Sequence, residues 1–160
     1  MRIWLWLSLL VLVLDQASKV WVRAVFQEYQ SEPITGFFNL VLVYNEGAAF
    51  SFLSSAGGWQ RWFFVGLALV ISLVLYNWLR QLHRDEKFTA AALALVLGGA
   101  WGNLVDRLWL GKVTDFIDIY YQGWHWPAFN LADSAISLGV ALLVVAMLRE
   151  GNGAAAPKGQ

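Results

Sequence analysis

The sequence predicts an all-α polytopic membrane protein: four transmembrane helices with a small extracytoplasmic β-sheet in the first outer loop. Three observations carry this fold class. Apolar residues make up 59% of the 160 residues and charged residues 14%, whereas a soluble domain runs at about 45–50% and ~25%. A bilayer core of about 30 Å asks for roughly 20 mainly apolar residues per helix, and four segments meet that length. There are also ten Trp, a residue that gathers where a bilayer meets water.

The spans follow in order at about residues 3–26, 62–79, 88–105 and 132–148. The first runs apolar from Ile3 to Leu14, then carries Asp15, Gln16, Ser18 and Lys19 before Val20-Trp21-Val22 and Ala24-Val25-Phe26 restore its character. Residues 1–18 alone match a secretory signal, with Arg2, a short apolar stretch and the small pair Ala17-Ser18. The apolar residues beyond Lys19 favour a retained span. The second and third spans are nearly continuous, and the fourth is interrupted early by Asp133 and Ser134. In the first outer loop, Pro33-Ile34-Thr35-Gly36 reads as a turn, residues 37–44 as a strand, Asn45-Glu46-Gly47 as a hairpin turn and residues 48–53 as a returning strand. Trp59 and Trp62, flanking Arg61, read as interfacial anchors. Residues 1–150 then form a single integral membrane domain, and the small, polar residues 151–160 a disordered cytoplasmic tail.

Charge sets orientation and removes several functions. Lys+Arg 11 balances Asp+Glu 11, so the basic surplus that nucleic acid requires is missing and no nucleic-acid partner is expected. Arg2, Arg80, Arg84, Lys87, Arg149 and Lys158 fall on one side of the membrane. Arg23, Arg61, Arg107 and Lys112 fall on the other, spread over two longer loops rich in Asp and Glu. By the density of basic residues both termini face the cytoplasm. The chain has no Cys, which removes disulfides, thiolate nucleophiles and Cys-based metal sites together.

Polar residues inside or beside the spans are the functional candidates, because an ionisable group at mid-bilayer costs at least ~2.5–3.5 kcal/mol. Asp15, Lys19 and Arg23 recur at four-residue steps and form one stripe on one helical face. A structural Asp15–Lys19 ion pair and participation in a site are both open readings. Gly98 and Gly102 form a small-xxx-small pair suited to close helix packing. Asn103 and Arg107 place an amide and a guanidinium on one side of the third span as it leaves the membrane. Asp115 and Asp133 fall at the outer ends of spans three and four. Asp115 alone is a loop carboxylate and Asp133 alone an N-cap candidate, whereas across a narrow cleft the two would share a proton and perform aspartic peptide hydrolysis.

Other peptidase chemistries lack their motifs. There is no His-Glu-x-x-His, and His83 and His125 fall on opposite sides of the membrane. No Gly-x-Ser-Gly or Gly-x-Gly-Asp stretch occurs, and Ser18 and Lys19 project about 100° apart on a helix, a poor geometry for a dyad. No cofactor or metal is expected. A small ion-coupled transporter and a membrane assembly protein remain the alternatives from other functional classes.

Four motifs occur together in order: Asp15-Gln16-Ala17-Ser18-Lys19; Asn45-Glu46-Gly47-Ala48-Ala49-Phe50; Gly98-Gly99-Ala100-Trp101-Gly102-Asn103 continuing to Asp106-Arg107 and Val113-Thr114-Asp115-Phe116; and Phe129-Asn130-Leu131-Ala132-Asp133. In this order and spacing the chain resembles bacterial lipoprotein signal peptidase, or signal peptidase II, an aspartic peptidase family of the inner membrane. The resemblance implies four transmembrane helices with a small β-sheet and a short surface helix on the periplasmic side. It also implies cleavage of prolipoproteins just before a diacylglyceryl-modified cysteine. Asp115 and Asp133 match the family's catalytic aspartates. Asn45, Gly47, Asn103, Arg107 and Asn130 match positions that line its site, and Asp15 and Lys19 match positions that support it. Asp106 and Asp118 are read as structural or solvated. The partners so implied are lipid-modified prolipoproteins and membrane lipid, with the enzyme a monomer.

Overall fold

The computed structural model describes residues 2–47 and 58–154. A short 3-10 turn at Arg2–Trp4 leads into helix α1 (Leu5–Val25), followed by strands β1 (Ser31–Thr35) and β2 (Phe38–Asn45). Helices α2 (Trp59–Gln81) and α3 (Lys87–Trp109) come next, then strands β3 (Val113–Tyr121) and β4 (Trp124–His125), and finally helix α4 (Leu131–Ala154). Four segments, Arg2–Val25, Trp59–Gln81, Lys87–Trp109 and Leu131–Arg149, are long and apolar enough to cross a membrane. Each expected span is therefore present.

Helix α3 forms the centre of the bundle. Of its most apolar stretch 67% is buried within the protein, against 17%, 11% and 17% for the other three spans. The cause is side-chain size. Ala90, Ala92, Ala94, Gly98, Gly99 and Gly102 keep one helix slim enough for neighbours to close on it from several sides. A Cβ at Gly98 would stand 2.7 Å from the Ser8 carbonyl of α1. At Gly99 it would strike the Ala132 carbonyl of α4, and at Gly102 the Asp15 carboxylate of α1. Gly139 of α4 returns the fit, since a Cβ there would stand 2.7 Å from the Ala92 carbonyl. Leu75, Leu79, Leu93, Val96 and Leu97 join α2 to α3 at the other end. The Ser8 hydroxyl, fully buried on α1, donates to the Ala94 carbonyl at 2.8 Å, so a polar group facing α3 is not left unsatisfied.

The sheet expected from the first outer loop is present, but that loop supplies only half of it. Its order is β1-β2-β3-β4, antiparallel throughout, and β3 and β4 belong to the connection between α3 and α4. Strand β2 is bounded close to the reading from sequence, yet it pairs β3 on its second edge, with Val43 opposite Asp115 and Asn45 opposite Val113. The turn assigned to Pro33-Ile34-Thr35-Gly36 falls instead at Gly36-Phe37, and Pro33 lies within β1. As an edge strand β1 tolerates a residue that cannot donate to the ladder. The returning strand read at 48–53 lies outside the described residues, and no surface helix occurs among the described loop residues. Helix α4 continues to Ala154, so Gly151–Ala154, expected in a disordered tail, are helical.

This packing makes a testable distinction between glycines. Gly99→Ala should lower the thermal midpoint of the detergent-solubilised protein, with a loss of about 1–3 kcal/mol expected for overpacking. Gly66→Ala, on α2 with nothing within 4 Å of the added Cβ, should leave the midpoint unchanged or slightly raised. Equal midpoints for both variants would refute the close approach of α4 to α3.

Candidate active site

The polar residues picked out in the sequence converge at one end of the bundle, where α1 and α3 finish, α4 begins and the sheet lies against them. Asn130 precedes the first residue of α4, in the N-cap position. Its side-chain Oδ1 accepts from the backbone N–H of Asp133 at 3.0 Å, and Asp133 Oδ2 accepts in return from the Asn130 backbone N–H at 3.3 Å. This reciprocal pair satisfies helix-end donors in the manner of a capping box. It occupies only one oxygen of Asp133. The other, Oδ1, accepts from Asn103 Nδ2 of α3 at 2.8 Å.

Asp115 comes from the sheet. Position 115 is the third residue of β3 and is 3% exposed. Its Oδ1 accepts from Asn130 Nδ2 at 2.7 Å and its Oδ2 from Asn45 Nδ2 at 3.3 Å. Asn45, the last residue of β2, is oriented because its Oδ1 accepts from the Gly47 backbone N–H at 3.0 Å. The Gly47 carbonyl in turn accepts from Arg107 at 3.0 Å, and the guanidinium lies over the Phe64 ring with 5.0 Å to its centroid. A cavity of about 940 Å³ opens in front of this array, lined among others by Asn45, Gly47, Asn103, Arg107, Asp115 and Asp133.

Burial, and after it the neighbouring Asp133 carboxylate, push Asp115 from 3.8 up to about 7, against the opposing pull of its Asn130 and Asn45 donors and the Lys19 charge. A carboxyl group with that value keeps a proton near neutrality while a second carboxylate stands beside it. Such an arrangement supports general acid and general base chemistry from two like residues.

Asp15 and Lys19 do not line the cavity. They lie behind it as a fully buried ion pair at 2.9 Å. Asp15 Oδ1 also accepts from the Ala132 backbone N–H at 2.9 Å, placing a carboxylate at the positive end of α4. Asp106 and Asp118, read as structural or solvated, are both buried and structural. Asp118 accepts from Asn39 Nδ2 at 2.7 Å and pairs with His125 at 2.9 Å.

With the fold and this geometry in place, comparison with known proteins decides the family. The family model for signal peptidase (SPase) II matches residues 7–149. The chain belongs to the signal peptidase II family. It is 53% identical over 146 residues to the lipoprotein signal peptidase of Ralstonia nicotianae, covering 91% of this chain and 84% of that one. It is 54% identical over 151 residues to that of Paraburkholderia phymatum, covering 94% and 90%. Among solved structures, a bacterial membrane enzyme determined in meso superposes with a TM-score of 0.88 at 29% identity, covering 100% of this chain and 95% of the other. A second bacterial membrane enzyme superposes at 0.81 with 30% identity, covering 92% and 94%.

For a member of signal peptidase II, sequence reasoning underrated three residues. Asp106 is 1% exposed and accepts from the Thr114 backbone N–H at 2.9 Å, tying the start of β3 to α3 and thereby fixing the neighbouring Asp115. Gln16 Nε2 bridges Asp15, the Gly102 carbonyl and Asp106. Thr114 Oγ1 accepts from Arg23 at 2.8 Å. The available signal was helical spacing: Asp106 stands three residues after Asn103, on the face that meets the α1 stripe.

The raised Asp115 gives a pH prediction with a definite sign. With Asp115 and Asp133 as a coupled acid pair, the reading proposed below, kcat/KM should fall as pH rises through about 7 and the shared proton leaves. Asn45 donates to Asp115 and favours its charged form. Asn45→Ala should therefore shift this limb to higher pH, as read from initial rates across pH 5–9. A shift to lower pH would show that Asp115 does not hold the proton.

Proposed function

We propose that Asp115 and Asp133 are the catalytic pair, holding one proton and one water between them. Membership of signal peptidase II carries the reaction class: the chain is an aspartic peptidase that removes signal peptides from prolipoproteins. The observation that supports the residue assignment is the 940 Å³ cavity onto which both carboxylates open, joined behind by Asn130.

In this reading the ionised carboxylate takes a proton from water as the oxygen attacks the scissile carbonyl. The protonated carboxyl donates a hydrogen bond to that carbonyl, and a proton then passes to the departing amine. Asn103, Asn130 and Asn45 hold the acids in place by donating to them. Arg107 and Gly47 form the wall that faces the peptide, the guanidinium anchored through the Gly47 carbonyl. The substrate is cut on the N-terminal side of a diacylglyceryl-modified cysteine and approaches sideways through the bilayer, its acyl chains against the apolar faces of the helices. The enzyme works as a monomer in the bacterial inner membrane. Both termini are cytoplasmic, with Arg80, Arg84, Lys87 and Arg149 on that side. The sheet and the cavity therefore face the periplasm.

Asp115→Asn and Asp133→Asn, each purified in detergent, shown folded by circular dichroism and given a diacylglyceryl-modified precursor, should cut at least ~10³-fold more slowly than the parent. Normal turnover by either would end this assignment. The same loss from Asp118→Asn would move the chemistry to a different carboxylate.

A further inference from the structure

A primary amide is nearly symmetric in shape, and its two orientations place opposite hydrogen-bonding groups at the same points. The Asn103 amide stands between two demanding neighbours. On one side is Lys19, whose ammonium is fully buried and has three N–H bonds to place. It places them on Asp15 Oδ2 at 2.9 Å, Asp106 Oδ2 at 3.3 Å and Asn103 Oδ1 at 3.0 Å. On the other side is Asp133 Oδ1, 2.8 Å from Asn103 Nδ2. An ammonium cannot accept a hydrogen bond, so the Asn103 oxygen must face it and the Asn103 NH2 must face Asp133. The same oxygen also accepts from Asn130 Nδ2 at 3.2 Å, the group that donates to Asp115 at 2.7 Å.

We infer that Lys19 is a positioning residue for the acid pair, its ammonium holding the Asn103 amide in the one orientation that presents N–H to Asp133. This rests on the reading of Asp115 and Asp133 as the catalytic pair. Without Lys19 only the Asn130 Nδ2 donor, at 3.2 Å, still holds the Asn103 oxygen in place, and the orientation that turns this oxygen toward Asp133, a contact that suits only a protonated carboxyl, gains population. The charged groups around the array are Asp15, Lys19 and Arg23 from α1, Asp106 and Arg107 from α3, Asp115 from β3 and Asp133 from α4. Removing Lys19 alone strands two carboxylates, so the informative variant removes one charge of each sign.

The test compares Asp106→Asn with the double variant Lys19→Met/Asp106→Asn, reading kcat and KM against pH on a lipid-modified precursor. Asp106→Asn keeps the ammonium and should leave the acid limb at or below its parental pH, since a negative charge has gone. The double variant should move the limb up by about one pH unit relative to Asp106→Asn, with kcat falling and KM nearly constant. In an Asn103→Ala background the Lys19 step should move the limb by less than half as much, leaving only the direct pull of the ammonium charge on Asp115. A shift of undiminished size there overturns the inference, because it shows the ammonium acting through its charge alone; an absent shift in the double variant overturns it as well. A measurement on the unaltered enzyme needs no folded variant of Lys19. With asparagine labelled by nitrogen-15, the Asn103 side-chain NH2 signal should move over the pH range in which the acid pair titrates, and a fixed signal refutes the orientation. Full activity of Asp133→Asn would remove the catalytic reading instead, while an inactive Asp133→Asn with an unmoved acid limb removes only the role of Lys19.

Discussion

The Lys19 ammonium, with no solvent contact inside a helix bundle, is the constraint on which the sheet-bearing half of this protein depends. Taking a charge out of water costs several kcal/mol unless every donor finds an acceptor. Here three donors meet three oxygens, each from a residue that holds something else. Asp15 also takes the Ala132 N–H and so fixes the start of α4. Asp106 also takes the Thr114 N–H and so fixes the start of β3. Asn103 spans from the ammonium to Asp133. One buried charge thereby sets the relative positions of α1, α3, α4 and β3, in a bundle whose other contacts are mostly apolar and without direction.

That rigidity matters because the two carboxylates come from unlike elements. Asp115 sits on a strand supplied by a loop, and Asp133 sits in the first turn of a helix. Nothing in the local geometry of either brings it to the other. Asn130 makes the connection, being at once the cap of α4 and the donor to Asp115. The close packing of α3 serves the same end. Gly99 and Gly102 let α4 and α1 approach so nearly that a side chain at either position would displace the Ala132 backbone or the Asp15 carboxylate. The small-xxx-small motif is therefore coupled to the charge array as well as to helix association.

What the sequence revealed and what it withheld follow from the range of the interactions involved. The spans were legible because hydropathy over some 20 residues is a local property, and the Asp15-Lys19-Arg23 stripe because helical spacing is local too. The convergence of Asp115 and Asp133 rested on family resemblance, since it requires β2 to pair with β3 across a gap of some seventy residues that no local pattern records. Asp106 was undervalued for a related reason. Next to Arg107, at the exit of a span, it resembles a solvated carboxylate, and only the arrival of Lys19 and the Thr114 N–H from elsewhere shows otherwise. Asp133, an N-cap candidate by sequence, is instead the third residue of α4 with Asn130 as the cap, and its two oxygens let it serve the helix end with one and face Asn103 with the other.

Charge balance favours the single shared proton that the proposed mechanism places on Asp115 and Asp133. Behind the cavity, Lys19 and Arg23 face Asp15 and Asp106, two cations against two anions, all joined by contacts of 3.8 Å or less. That group is neutral by itself, although its Lys19 end still favours the charged form of Asp115. In front of it the guanidinium of Arg107 interacts with the charges of both Asp115 and Asp133. Lys112 lies farther out, against the Tyr44 ring, on a rim that also carries Glu28 and Glu46. Arg107 with a doubly ionised pair would leave one negative charge in a largely buried site, and with a doubly protonated pair one positive charge. With one shared proton the sum is zero, the arrangement a low-dielectric environment favours most. In the proposed mechanism this balance favours one shared proton on the pair, the state that this reading of the hydrolysis uses.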